Sequence, residues 1–180
     1  QANTIAAFTS GVVTATLSDG DMATLAGLNE TGHAYSITIT DNSVAAAALN
    51  TLDGKTTVAI NASNINTLTG TAANVNTAYT ANANGSISGL GNEAVTLSDS
   101  TLAASVLNTL NDNTSGVINA GSINTLSGSY ADLNTAFSAN GSGISGLGNE
   151  AVTINSGTAS TSQANTIAAF TSGVVTATLS

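Results

Sequence analysis

With ten carboxylates against one basic residue, Lys55, this 180-residue chain carries a net charge of −9. That balance excludes the counterion displacement on which nucleic-acid binding depends, and equally excludes attraction to an anionic membrane. The apolar share of 42% is built from Ala, Val, Ile and Leu with only 3% aromatics, and no run of it approaches the ~20 residues of a spanning helix.

Ser, Thr, Asn and Gly supply most of the remaining polarity, no segment has the layout of a signal peptide, and cysteine is absent. Lacking cysteine and nearly lacking trypsin sites, the chain suits an extracellular or cell-surface location.

The elements are organised by repetition. Residues 1–18, QANTIAAFTSGVVTATLS, return unchanged as residues 163–180, an offset of 162. Cores tolerate exchange among Val, Ile and Leu, so identity over eighteen positions points to a duplicated tandem array rather than to a packing constraint. Cutting before each β-branched stretch gives coils that begin near residues 12, 35, 58, 87, 117 and 144, with a restart at 174. Their lengths, 23 to 30 residues, are those of strand-plus-helix solenoids.

In chain order, Gln1–Phe8 reads as a helix and Val12–Leu17 as a strand, and Met22, Leu25 and Leu28 mark a short helical stripe. Ser36–Thr40 is the next strand. Ala72, Val75 and Tyr79 fall on one helical face. Ala94–Leu97 is again a strand, and Ser100–Asn111 reads as a helix with Leu102, Val106, Leu107 and Leu110 on its stripe. Ile118 and Ile123–Leu126 suggest a second short strand in the longer coils. Tyr130, Leu133 and Phe137 repeat the helical stripe before the strand Ala151–Ile154. Asn84-Gly85, Ser115-Gly116 and Asn140-Gly141 return the chain to each new strand.

Helices this short bury their stripes only against strands and neighbouring helices. The expected fold is an α/β solenoid of parallel strands with one short helix per coil, right-handed, about six coils per 162-residue unit. Residues 1–180 form a single segment, and the lack of polar caps suggests a slice of a longer stack whose partner is itself, end to end or laterally.

Two stretches, ISGLGNEAVTLSDSTLAASVLNTLNDNTSG from Ile87 and SINTLSGSYADLNTAF from Ser122, resemble the tandem repeats of giant surface proteins of marine cyanobacteria and related bacteria. Such proteins are described as haemolysin-type calcium-binding or adhesin-like. The resemblance covers essentially the whole chain and implies an extracellular structural or adhesive role. The glycine-rich calcium nonapeptide G-G-x-G-x-D is missing, so the calcium label does not transfer to these residues.

Asp19, Asp41 and Asp99 each follow a strand and precede a helix. Stacked carboxylates roughly 5 Å apart invite calcium, whereas the same position also suits helix capping, with Ser127, Thr69 and Asn155 holding or neighbouring it without charge. Capping is the preferred reading. Glu93 and Glu150 recur in Gly-Leu-Gly-Asn-Glu-Ala, a whole coil apart, which fits a turn role and not a pair of catalytic acids. His33 and Lys55 read as turn residues, and one histidine among many serines makes no triad. Thr14 and Thr16, Thr38 and Thr40, and Thr176 and Thr178 form Thr-x-Thr pairs of the kind that order water on ice-binding solenoids, although other strands lack them. The expectation is therefore a structural repeat with no catalytic residue and no cofactor other than a possible calcium ion. A calcium-stabilised adhesin or an ice-binding solenoid is the competing expectation.

Overall fold

The computed structural model describes all 180 residues, apart from the side chain of Ser156. Its first part comprises α1 (Ala2–Ala6), β1 (Thr14–Thr16), α2 (Met22–Leu25), β2 (Ala34–Ser36), β3 (Ser43–Ala45) and α3 (Ala46–Asp53). The middle comprises β4 (Ile60–Asn61), β5 (Thr67–Gly70), α4 (Ala72–Asn84), β6 (Ile87–Ser88), β7 (Ala94–Leu97), β8 (Thr101–Ala103) and α5 (Ala104–Asn113). The last part comprises β9 (Ile118–Asn119), β10 (Thr125–Gly128), α6 (Tyr130–Ala139), β11 (Ile144–Ser145), β12 (Ala151–Ala159), α7 (Thr161–Ala168) and β13 (Val175–Leu179).

The protein is α/β, with short helices and strand pairs that are parallel throughout. Parallel pairing follows from the connections, because each return to a neighbouring strand passes through a helix or a long crossover. The strands divide into four sheets: β1-β2, β4-β6, a five-stranded sheet ordered β3-β5-β7-β9-β11 and a four-stranded sheet ordered β8-β10-β12-β13.

Register lines the apolar positions up. Val44, Leu68, Val95, Ile118 and Ile144 succeed one another across the five-stranded sheet, and Leu102, Leu126 and Val152 across the four-stranded one; all are buried. Each such side chain contributes about 1.5–3 kcal/mol by leaving water. The alternate positions, such as Thr96 and Asn119, face outward as a hydroxyl and amide ladder. One helix layer backs the strands, with α3 to α7 packed successively on one another.

A shorter spacing, not evident in the coil count, lies inside the 162-residue repeat. Ile37, Ile39, Val44, Ala46, Leu49 and Leu52 are all buried, and so are their counterparts 58 residues on: Val95, Leu97, Leu102, Ala104, Leu107 and Leu110. Corresponding strands nevertheless occupy different sheets, since β3 corresponds to β8 but pairs in the sheet that contains β7. Pairing itself recurs with this spacing: β3-β5-β7 returns as β8-β10-β12, and β4-β6 returns as β9-β11. Because β7 pairs with β9 as well as with β5, the first three strands and the later β9-β11 pair join in one sheet.

The helix expected over Ser100–Asn111 begins only at Ala104. Thr101–Ala103 is strand instead, and Leu102 sits opposite Leu126 rather than on the helical stripe. A neighbouring strand supplied backbone partners that the local sequence could not reveal. The strand expected at Ser36–Thr40 is similarly interrupted: β2 ends at Ser36, and Thr38 makes an isolated parallel bridge to Asn61.

Candidate functional site

The aspartates act across segments. Asp41 Oδ2 accepts the Met22 N–H at 2.8 Å, and Asp99 Oδ2 accepts the Ala72 N–H at 2.8 Å. Met22 and Ala72 are the first residues of α2 and α4, so each carboxylate satisfies an orphan donor at the positive end of the helix preceding it in the chain. The sequence suggested caps for the helices that follow these residues; Ala45 and Ala103 stand there instead, without a side-chain cap. Asp19 stays local, accepting the Asp21 N–H at 3.3 Å, and Asp21 is the side-chain cap of α2. Asp19 and Asp41 thus both serve the start of α2, on the adjacent amides of Asp21 and Met22, while Asp99 serves the start of α4. Among the described residues, no group of three or more His, Cys, Asp or Glu is arranged to hold a metal ion.

Glu93 and Glu150 are buried inside their own turns. The Gly91 N–H donates to both oxygens of Glu93, at 2.8 and 3.0 Å, and the Asn92 N–H adds a third bond. The Gly148 N–H donates in the same way to both oxygens of Glu150. Gly91 and Gly148 both have φ of 128°, a backbone state that side-chain-bearing residues rarely adopt, which explains the second glycine of Gly-Leu-Gly-Asn-Glu. Asn82 and Asn140 clamp the same turns through Leu90 and Leu147.

The two turns differ in one partner. The Tyr79 hydroxyl donates to Glu93 Oε2 at 2.9 Å inside the core, a charge-assisted bond worth about 1.5–3 kcal/mol. Burial pushes that hydroxyl well above the ordinary phenol range; the nearby Glu93 charge adds to the rise, and a Thr114 hydrogen bond opposes it. Phe137 stands 58 residues after Tyr79 and stacks on Phe170, with centroids 5.4 Å apart. Both carboxylates hold backbone N–H groups, Glu93 holds the Tyr79 hydroxyl as well, and neither faces solvent.

His33 is no turn residue. It is buried, bridges to Thr56, and accepts the Val13 N–H on Nδ1 at 3.1 Å. Lys55 does lie in a turn, half-buried, with Nζ donating to the Asn29 carbonyl at 3.0 Å. Thr14 and Thr16 lie opposite Ala34 and Ser36, and Thr38 opposite Asn61, so these do not meet threonine on the paired strand, whereas Thr176 lies opposite Thr153.

One recurrent device was missed from the sequence. The hydroxyls of Thr56, Thr114 and Thr171 donate to the carbonyls of Tyr35, Glu93 and Glu150 at 2.7–2.8 Å. The same hydroxyls accept the N–H two residues later, at Val58, Gly116 and Gly173. A Cβ on Gly116 or Gly173 would overlap the Glu93 or Glu150 carbonyl. The tripeptide Thr-Ser-Gly at 9–11, 114–116 and 171–173 was the available signal.

Among the described residues, no helix is long and apolar enough to cross a membrane. No family model, curated protein or solved structure matches the chain.

Proposed function

We propose that the chain is a structural tandem-repeat module of a very large extracellular surface or fibre-forming protein. Its segments stack as the coils of a right-handed solenoid, making a stiff rod whose partner is itself. The observation that carries this reading is that residues 163–180 repeat the helix–strand order of residues 1–18, with β13 entering a parallel sheet just as β1 does. A unit that ends on the shape with which it began can be added indefinitely. The resemblance of the Gly-Leu-Gly-Asn-Glu-Ala phrases to repeats of giant bacterial surface proteins supports the same reading. Asp41 and Asp99 serve as helix caps, which favours a role in cohesion over one in ion binding.

Rod formation is tested by joining one, two and three 162-residue units covalently and measuring length by small-angle scattering. Six coils at ~4.8 Å predict an advance of roughly 29 Å per unit, with a melting temperature that climbs and then levels off. Independent globules, or a maximum dimension unrelated to unit number, would remove the rod.

A further inference from the structure

Between α2 and α3 lies a pocket of about 250 Å³. Met22, Leu25 and Leu28 form one wall, Ala48 and Leu52 the other, and Lys55 stands at the rim. The cause is visible in the helix lengths. α2 has 4 residues, whereas α4 and α6, which precede the counterparts of α3, have 13 and 10. One turn of helix cannot cover the face of α3.

The molecule itself shows what belongs there. The three equivalent threonines, Thr56, Thr114 and Thr171, place Lys55, Asn113 and Phe170 in correspondence, each just before its threonine. Phe170 is covered by the ring of Phe137 from α6, at 5.4 Å and nearly parallel. Asn113 is met by Asn76 from α4, at 3.2 Å. At Lys55, among the described residues, no side chain of α2 makes a hydrogen bond or ring stack, and Nζ donates to the Asn29 carbonyl at 3.0 Å. Lys55 is also the sole basic side chain of a chain with net charge −9, so it is the one point where an anion meets a favourable charge. Cavities of ~150 Å³ lined by aliphatic side chains already accept a benzene ring.

We propose that this pocket binds a small aromatic carboxylate, with the ring between α2 and α3, packed beside Lys55 as the Phe137 ring packs on Phe170, and the carboxylate on Lys55 Nζ. An ammonium has three donors, and the Asn29 bond leaves two for the ligand. Cationic aromatics are rejected by the same lysine.

The test is an amide NMR titration of the full chain at 0.15 M salt with phenylacetate, benzyl alcohol and benzylamine. Phenylacetate shifts residues 22–28 and 48–55 and saturates at about millimolar concentration. Benzyl alcohol binds the same residues more weakly, and benzylamine does not saturate. Lys55→Met weakens phenylacetate about fivefold and leaves benzyl alcohol unchanged. Ala48→Leu, at an exposed helical position, fills the pocket and abolishes both with the fold intact. Benzylamine binding as well as phenylacetate, shifts centred elsewhere, or the absence of saturation overturns the proposal. Broadening of residues 22–28 and 48–55 that grows with protein concentration alone overturns it too, making a second copy the occupant.

Discussion

Residues 1–18 and 163–180 are the same sequence in two surroundings. Both fold into a helix ending at the same alanine, Ala6 or Ala168, followed by a strand around Thr14–Thr16 or Val175–Leu179. Burial separates them. Ile5 is 55% exposed and Ile167 not at all; Phe8 is 86% exposed, while Phe170 falls to 38% beneath Phe137. The relation reverses for Ala6, which is buried where Ala168 is exposed. Asn3 bonds forward to the Gly27 carbonyl and the Asn29 N–H, whereas α7 packs back on α6. The segment thus has two faces, one completed by the residues before it and one by those after it. Local structure is intrinsic to these eighteen residues; burial belongs to their neighbours.

That contrast can be broken by paired substitutions. The largest effect is expected at the isoleucines. Ile167→Ala should lower the unfolding free energy by about 3 kcal/mol, while Ile5→Ala should stay within about 0.5 kcal/mol, both read from urea denaturation midpoints. Equal losses would mean that the two copies are equally packed. Next come the phenylalanines. Phe170→Ala should cost about 1.5 kcal/mol through the lost stack on Phe137, and Phe8→Ala should leave the melting temperature nearly unchanged.

The smallest effect sharpens the comparison at the helix starts. Ser160 caps α7 in a capping box with Gln163, whereas Gln1 makes no side-chain cap on α1. Ser160→Ala should cost about 1 kcal/mol and speed exchange of the Gln163 amide. Gln1→Ala should change neither stability nor exchange in α1.

The candidate site was legible in part. Glu93 and Glu150 read as turn residues because their glycines recur with them, and turn residues they are. That they turn inward was not legible, since a carboxylate near loop glycines is exposed unless the backbone supplies donors, and the Gly91 and Gly148 N–H groups do. Tyr79 gave no polar signal, because on a helical stripe it looks like any core aromatic. His33 misled for the opposite reason: it follows a glycine, yet Val13 and Thr56, distant in sequence, bury it.

By itself the sequence determined the period-two alternation of the strands, the stripes of α4, α5 and α6, and the parallel sense of pairing, because these depend on side-chain spacing and connection length within one segment. The tertiary structure alone decided which helix each aspartate caps, where Thr101–Ala103 becomes a strand, and why corresponding strands enter different sheets. Those outcomes depend on hydrogen bonds and contacts between segments some twenty to thirty residues apart, such as Asp99 with Ala72. A backbone donor takes whichever acceptor packing brings within reach, and local spacing holds no record of that choice.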